Sequence, residues 1–493
     1  MKPLVLIHGY SAESESSQAT AIAEIYDDLP ALLRQRYGKD SVVDLHLARY
    51  LSLEDGVTLD DLTRAFDQLL RSGYANLLKS GFHALAHSTG ALLVRNWLRG
   101  FSPKPSPIDN LVYLAGANFG SGWAHIGDGQ FAKWGRKVFQ GKERGVRILH
   151  ALELGSEWAL DLHRFFLRPE NRLFEAYKVK EHVLIGSQAA PSWFSMPIRF
   201  AKEDGSDGVV RVSGSDLNFR YLRFTATPEA RALSWKEARR ESLKHLERSG
   251  KRRCFYAPSE TSMPGEEGRQ EIPLGILPEC AHSGEEMSIL GGSKPRQALF
   301  RLLDAALSST AANWPNRVAL FAQETQATYD AARVLQAPKW WSQWLTEPRA
   351  QYDGHSQLIL RLRDQDGRPV TSFDVYFDSV GTRANAWLPF DRLIEHRHIN
   401  SSSPHVITFY LRTLAFDAER KDWISRLPAV GGIDLEISAT EPQTAEIRYL
   451  PLRYEFDAES VVRLLKPHTT TILDIELIRM PSEEVFRMVK YGR

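Results

Sequence analysis

Ser88 lies in Phe-His-Ala-Leu-Ala-His-Ser-Thr-Gly (residues 82–90), an apolar run that closes on a small-x-Ser-x-Gly turn ahead of a helical stretch, residues 91–98. That pattern predicts a serine on a sharp strand-to-helix elbow. Its Oγ then projects above the sheet edge, and the following helix aims its first N–H groups at the same spot. Small residues at Ala86 and Gly90 leave room for the neighbouring strand and helix. A serine held this way can attack an acyl carbon, provided two donors wait for the oxyanion that forms. The opening run Pro-Leu-Val-Leu-Ile-His-Gly-Tyr (residues 3–10) reads as a buried strand closed by His-Gly. Its end is expected to supply one donor, the Tyr10 N–H, and Thr89, the residue after the serine, the other. A third strand, residues 111–115, runs into Gly-Ala-Asn-Phe-Gly-Ser (residues 116–121), whose glycines suit a backbone passing close beside the nucleophile.

Together, His8-Gly9-Tyr10, Ala86-His87-Ser88-Thr89-Gly90 and the 116–121 segment resemble the serine lipases and esterases of the α/β-hydrolase superfamily, in the bacterial-lipase style. The resemblance covers about residues 1–305; Ala86 stands where Gly is commoner. It implies a mostly parallel sheet flanked by helices, and the chain order serine, acid, histidine. On that order Asp207, in Gly-Ser-Asp-Gly-Val-Val (residues 205–210), is the expected acid, with Asp204 its nearest competitor and an Asp-Gly hairpin the alternative use of the motif. Two histidines follow. His245 sits in a charge-rich stretch, residues 236–245, read as a solvated helix face. His282 lies after an apolar strand and before a helix-like run, where this fold delivers its general base. The expected triad is Ser88, Asp207 and His282, acting through an acyl-enzyme without cofactor or metal. Cys280, lacking an elbow of its own, reads as an ordinary buried thiol.

With 493 residues, the chain is long enough for two domains. Its 62 basic and 61 acidic residues nearly cancel, which gives no global attraction to nucleic acid or anionic lipid. No apolar run approaches the roughly 18 residues of a membrane span. The first strand starts near residue 3, two cysteines make no disulfide framework, and the expected compartment is the cytoplasm or a route of export without a cleaved signal. The expected partner is a lipid or other hydrophobic ester, met through transient contact with a lipid surface.

The expected division is a catalytic domain over residues 1–310, a helical linker over 311–345 and a β-sandwich-like accessory domain over 346–493. Residues 120–200 exceed what the minimal fold needs and read as a cap. Within it, residues 154–167 form an amphipathic helix, and residues 191–200 are aromatic and broken by proline. The Trp340, Trp341 and Trp344 cluster is read as junction packing. After residue 356 the apolar period changes from 3.6 to 2, with strands expected at 356–363, 371–377, 405–414, 432–438, 445–456 and 469–480. Asp364-Gln365-Asp366-Gly367 has the start of a calcium loop but not its later ligands, so a turn is expected. A catalytically silent binding scaffold and a delivered antibacterial lipid-degrading effector are the alternative functions.

Overall fold

Leu4, Val5, Leu6 and Ile7 are all fully buried, as a strand with no polar break requires when partners flank it on both sides. The computed structural model describes residues 2–8, 27–45, 56–122, 146–190, 203–246, 253–335, 348–380, 388–444, 446–482 and 485. In it β1 (Leu4–His8) pairs in parallel with β2 (Val42–Asp44) and with β3 (Phe82–His87). Next come β4 (Ile108–Leu114) and β5 (Lys180–Gly186). The chain then leaves this sheet through β6 (Arg220–Ala226) and β7 (Tyr256–Ser262) and returns as β8 (Leu274–Leu277). The sheet order is β2-β1-β3-β4-β5-β8, parallel throughout.

The longer helices, in chain order, are α1 (Leu29–Tyr37), α2 (Leu59–Gly73), α3 (Gly90–Gly100), α4 (Glu157–Phe165), α5 (Trp235–Leu246), α6 (Arg296–Leu307) and α7 (Trp314–Arg333). On α2, Leu59, Leu62, Phe66, Leu69 and Leu70 are buried, the stripe that a 3.6-residue period produces. A capping box starts it: the Asp61 N–H donates to Thr58 Oγ1 (3.2 Å) and the Thr58 N–H to Asp61 Oδ2 (3.0 Å). Phe66 meets Trp97 of α3 edge to face at 5.8 Å.

The chain divides into two units. The first comprises residues 1–218, 264–355 and 416–423; the second comprises 219–263, 356–415 and 424–493. This differs from a boundary near residue 310 in two respects. The stretch expected as a linker contains α7, which belongs to the first unit; its Phe321 lies in the apolar cluster that also holds Leu184, Leu277 and Leu303. The second unit also begins earlier, because β6 is the parallel partner of β17 (Thr470–Leu477), with Leu222 opposite Leu473.

That second unit is β-rich. Its further strands are β9 (Gly354–Asp364), β10 (Phe373–Val380), β11 (Ile394–Ile399), β12 (Val406–Asp417), β13 (Asp422–Ser425), β14 (Gly432–Ala439), β15 (Ile447–Tyr449), β16 (Leu452–Phe456) and β18 (Arg479–Pro481). One sheet runs β11-β12-β9-β17-β6-β7 with β13 on β12, and a second runs β10-β14-β16. A single core joins them, with Phe224, Leu360 and Leu473 from the first and Leu435, Ile437 and Leu452 from the second. The Asp364 motif is a turn: Asp364 Oδ1 accepts from the N–H groups of Asp366 (2.9 Å) and Arg368 (2.8 Å), and Gly367 takes φ +80°.

Candidate active site

Ser88 has φ 53°, the left-handed region that a non-glycine residue enters only under constraint. Backbone bonds to its neighbours hold it there. Its N–H donates to the Leu114 carbonyl at the end of β4 (3.1 Å), and its own carbonyl accepts from the Ala91 N–H in the first turn of α3 (3.1 Å). The serine thus stands between β3 and α3, at the C-terminal edge of the parallel sheet, where open α/β sheets place their ligands. Thr89 follows it at the N-terminal end of α3. Tyr10 and Gly9 lie outside the described residues.

The acid segment, residues 203–216, is folded around Asp207. Oδ1 of Asp207 accepts from the N–H groups of Val209 (2.9 Å) and Val210 (2.7 Å), and the Asp207 N–H donates to the Val210 carbonyl (3.1 Å). This leaves Oδ2 free to accept from His282 Nδ1 at 2.9 Å. The Asp207 backbone carbonyl also accepts the His282 N–H (3.0 Å), so main chain and side chain fix the same pair. His282 Nε2 then lies 3.2 Å from Ser88 Oγ. All three residues are buried, Asp207 at 1 % exposure, His282 at 4 % and Ser88 at 7 %. Ser88, Asp207 and His282, 75 and 194 positions apart in their pairs, are brought into one line.

The histidine arrives on a loop pressed against β5. A Cβ on Gly186, the last residue of that strand, would sit 1.9 Å from the Cys280 carbonyl oxygen, so only glycine lets the two backbones meet. The Ala281 N–H donates to the Met287 carbonyl (2.8 Å) and its carbonyl accepts from Ile289 (3.0 Å), pinning the residue beside His282. Burial, and Asp207 nearby, push the Cys280 thiol well above its ordinary range; it is no thiolate nucleophile.

Two further histidines, His87 at the end of β3 and His8 at the end of β1, stand beside this line without being marked as site residues by any local pattern. The rings of His8, His87 and His282 form a chain with centroid separations of 5.4 Å and 4.9 Å. Burial, then the charge of His282, pull the first down to about 4 and the second well below the usual imidazole value. Near neutral pH the ring beside His282 is therefore uncharged, as is the His8 ring behind it. Elsewhere, the helix expected to carry a solvated His245 proves half-embedded: His245 is buried in the second unit, 3.0 Å from Glu436 Oε1. Helical pattern alone did not reveal this, because the burying partner is β14. Residues 191–200 and the tryptophans at 340, 341 and 344 lie outside the described residues.

Chemically, an imidazole whose Nδ1–H is held by a carboxylate presents the lone pair of Nε2 to the serine hydroxyl, the tautomer a general base needs. No group of three or more metal-ligating side chains occurs among the described residues, and no described helix is long and apolar enough to cross a membrane.

A parallel sheet of this order with its nucleophile elbow after β3 defines the α/β-hydrolase fold. Among solved structures the whole chain is similar to phospholipase PlaB from Legionella pneumophila, at TM-score 0.73, 22 % identity and 97 % coverage of that chain. A second PlaB structure, in complex with thio-NAD, matches at TM-score 0.72 and 21 % identity, again over 100 % of this chain and 97 % of that one. The Bacillus licheniformis lipase BlEst2 matches over 43 % of this chain and 78 % of its own, at TM-score 0.30 and 16 % identity. No protein-family model matches the chain, and no curated protein does.

Proposed function

We propose that this chain is a serine-dependent carboxylic-ester hydrolase of the lipase or phospholipase kind. The observation that carries the reading is the line from Asp207 Oδ2 through both His282 nitrogens to Ser88 Oγ, at 2.9 Å and 3.2 Å, ending on a serine at φ 53°. In the proposed reaction His282 Nε2 takes the Ser88 proton as Oγ bonds to the ester carbonyl carbon. The tetrahedral oxyanion is met by the Thr89 N–H and, on the proposed assignment, the Tyr10 N–H. Collapse breaks the bond to the alkoxy group, which leaves with the proton from His282, and Ser88 holds the acyl group. Water, deprotonated by His282, repeats the attack and releases the acid. Asp207 holds the imidazole orientation and stabilises its charged form throughout. The similarity to a structure described as a phospholipase, over the full chain, supports a phospholipid or similar lipid ester as substrate. Transient contact with a lipid surface belongs to the same proposal.

Labelling with a fluorophosphonate probe and mapping the adduct tests this reading. The adduct is expected on Ser88 and is expected to be lost in Ser88→Ala and His282→Ala, with turnover of esters reduced by about 10⁴-fold or more in each. A folded protein that takes no label with or without detergent micelles, or takes it elsewhere, would overturn the proposal. A panel of soluble esters and phospholipid vesicles then separates esterase from phospholipase.

A further inference from the structure

The segment after β4, residues 116–121, touches both halves of the catalytic line. The Ala117 N–H donates to the Ser88 carbonyl (3.3 Å), on the nucleophile side. On the acid side three bonds reach the stretch that carries Asp207: Asn118 Nδ2 to the Ser215 carbonyl (2.7 Å), the Phe119 N–H to the Gly214 carbonyl (2.9 Å) and Ser121 Oγ to the Val209 carbonyl (2.6 Å). The Val209 carbonyl shares its peptide plane with the Val210 N–H, which donates to Asp207 Oδ1 (2.7 Å), so a shift of that peptide moves the carboxylate directly.

This segment is in turn held from α4. His163, on the buried face of that helix and fully enclosed, places Nε2 2.6 Å from the Asn118 carbonyl oxygen. A carbonyl only accepts, so Nε2 carries the hydrogen. Burial and the nearby Arg95 keep the ring neutral, consistent with that tautomer. The ring also packs against Phe119 at 4.6 Å. The helix itself starts from a Ser156 cap, whose Oγ accepts the Ala159 N–H (3.2 Å), so its end is fixed rather than frayed.

We propose that His163 and Asn118 are positioning residues: through the 116–121 segment they brace the Asp207 loop against the Ser88 elbow. The helix that the sequence suggested as part of a cap then acts as a fixed strut for the catalytic line. This rests on the ester-hydrolase reading above, since only there does the spacing of Asp207, His282 and Ser88 set a rate.

Full-length wild type, His163→Phe, His163→Gln and Asn118→Ala are compared by fluorophosphonate labelling rate and by turnover of a soluble p-nitrophenyl ester. Phe keeps the ring on Phe119 and removes the donor; Gln restores an N–H at nearly the same place. His163→Phe is expected to lower kcat roughly 10- to 100-fold with KM within about twofold, the scale of a misplacement near 1 Å. The rate at which Ser88 takes the fluorophosphonate label is expected to fall by a similar factor, because both reactions need His282 Nε2 aligned on Oγ. His163→Gln is expected to recover most of both. Asn118→Ala is expected to behave as His163→Phe does, and it carries the test if His163→Phe does not fold. Variants that fold and label at the wild-type rate with the wild-type kcat, whatever their melting temperature, would overturn the brace while leaving the hydrolase reading standing. Wild type that fails to label at Ser88 removes both.

Discussion

At the scale of single residues, the pivotal contact is the one between His282 Nδ1 and Asp207 Oδ2. Because Asp207 Oδ1 separately serves the Val209 and Val210 N–H groups, an Asp207→Asn side chain can keep those two bonds with its own Oδ1. Its amide would then face His282 Nδ1 and favour the tautomer with the hydrogen on Nε2, which cannot accept the serine proton. Asp207→Asn is therefore expected to fold normally and lose about 10⁴-fold in kcat, measured as acyl-enzyme burst and steady-state turnover. Retention of more than about a tenth of the wild-type kcat would remove Asp207 from the proposed role. His245 offers the contrasting case: its partner is Glu436 in the second unit, so its replacement is expected to cost stability and leave the labelling of Ser88 unchanged.

At the scale of elements, β5 combines two constraints. Its last residue must be glycine for the His282 loop to approach, so Gly186→Ala is expected to displace that loop, lowering both the melting temperature and the Ser88 labelling rate. Near its start, His182 is fully buried with Nε2 2.9 Å from Ser309 Oγ, and burial draws it from 6.5 down to about 3. The folded value lies below the unfolded one, so on acidification the unfolded chain takes up the proton first. The stability from keeping His182 neutral is fully present above pH 6.5 and is lost as pH falls toward 3. By pH 4 the loss from this one ring is on the order of 3 kcal/mol. His182→Gln is expected to shrink the drop in melting temperature between pH 7 and pH 4; an unchanged drop would show that the ring does not titrate this way.

At the scale of the whole molecule, the two units are interleaved in sequence. Phe219–Met263 leaves the first unit to complete a sheet whose other strands come from beyond residue 353. Inside that sheet Asp474 of β17 takes both Nε and a terminal nitrogen of Arg361 from β9 (2.6 Å each) and the hydroxyl of Tyr221 from β6 (2.8 Å). Three strands from distant parts of the chain thus meet at one buried carboxylate. Removing one partner of such a pair strands the other charge, so Asp474→Ala is expected to cost about 3–5 kcal/mol by denaturant unfolding. A chain ending at residue 310 keeps β6 but loses β17 and the Phe321 side chain that completes the first unit's core. It is expected to be aggregated, whereas the full chain is expected to be folded.

What the sequence determined by itself was local and periodic. The run ending at Ser88, the apolar opening strand, the helix after the elbow and the alternation in residues 356–363 and 405–414 each specify their own element, because side-chain burial repeats every 2 or 3.6 residues. The candidate acid and base were legible only through a family resemblance, since nothing local distinguishes Asp207 from a turn aspartate. Tertiary structure decided the rest. Pairing of β6 with β17 is a contact across some 250 positions that no window of sequence contains, and it moved the domain boundary. His245 looked solvated because its own helix is rich in charge, and β14 is what buries it. The His163–Asn118 contact joins a helix to a loop 45 positions away, and its hydrogen bond exists only once both are folded.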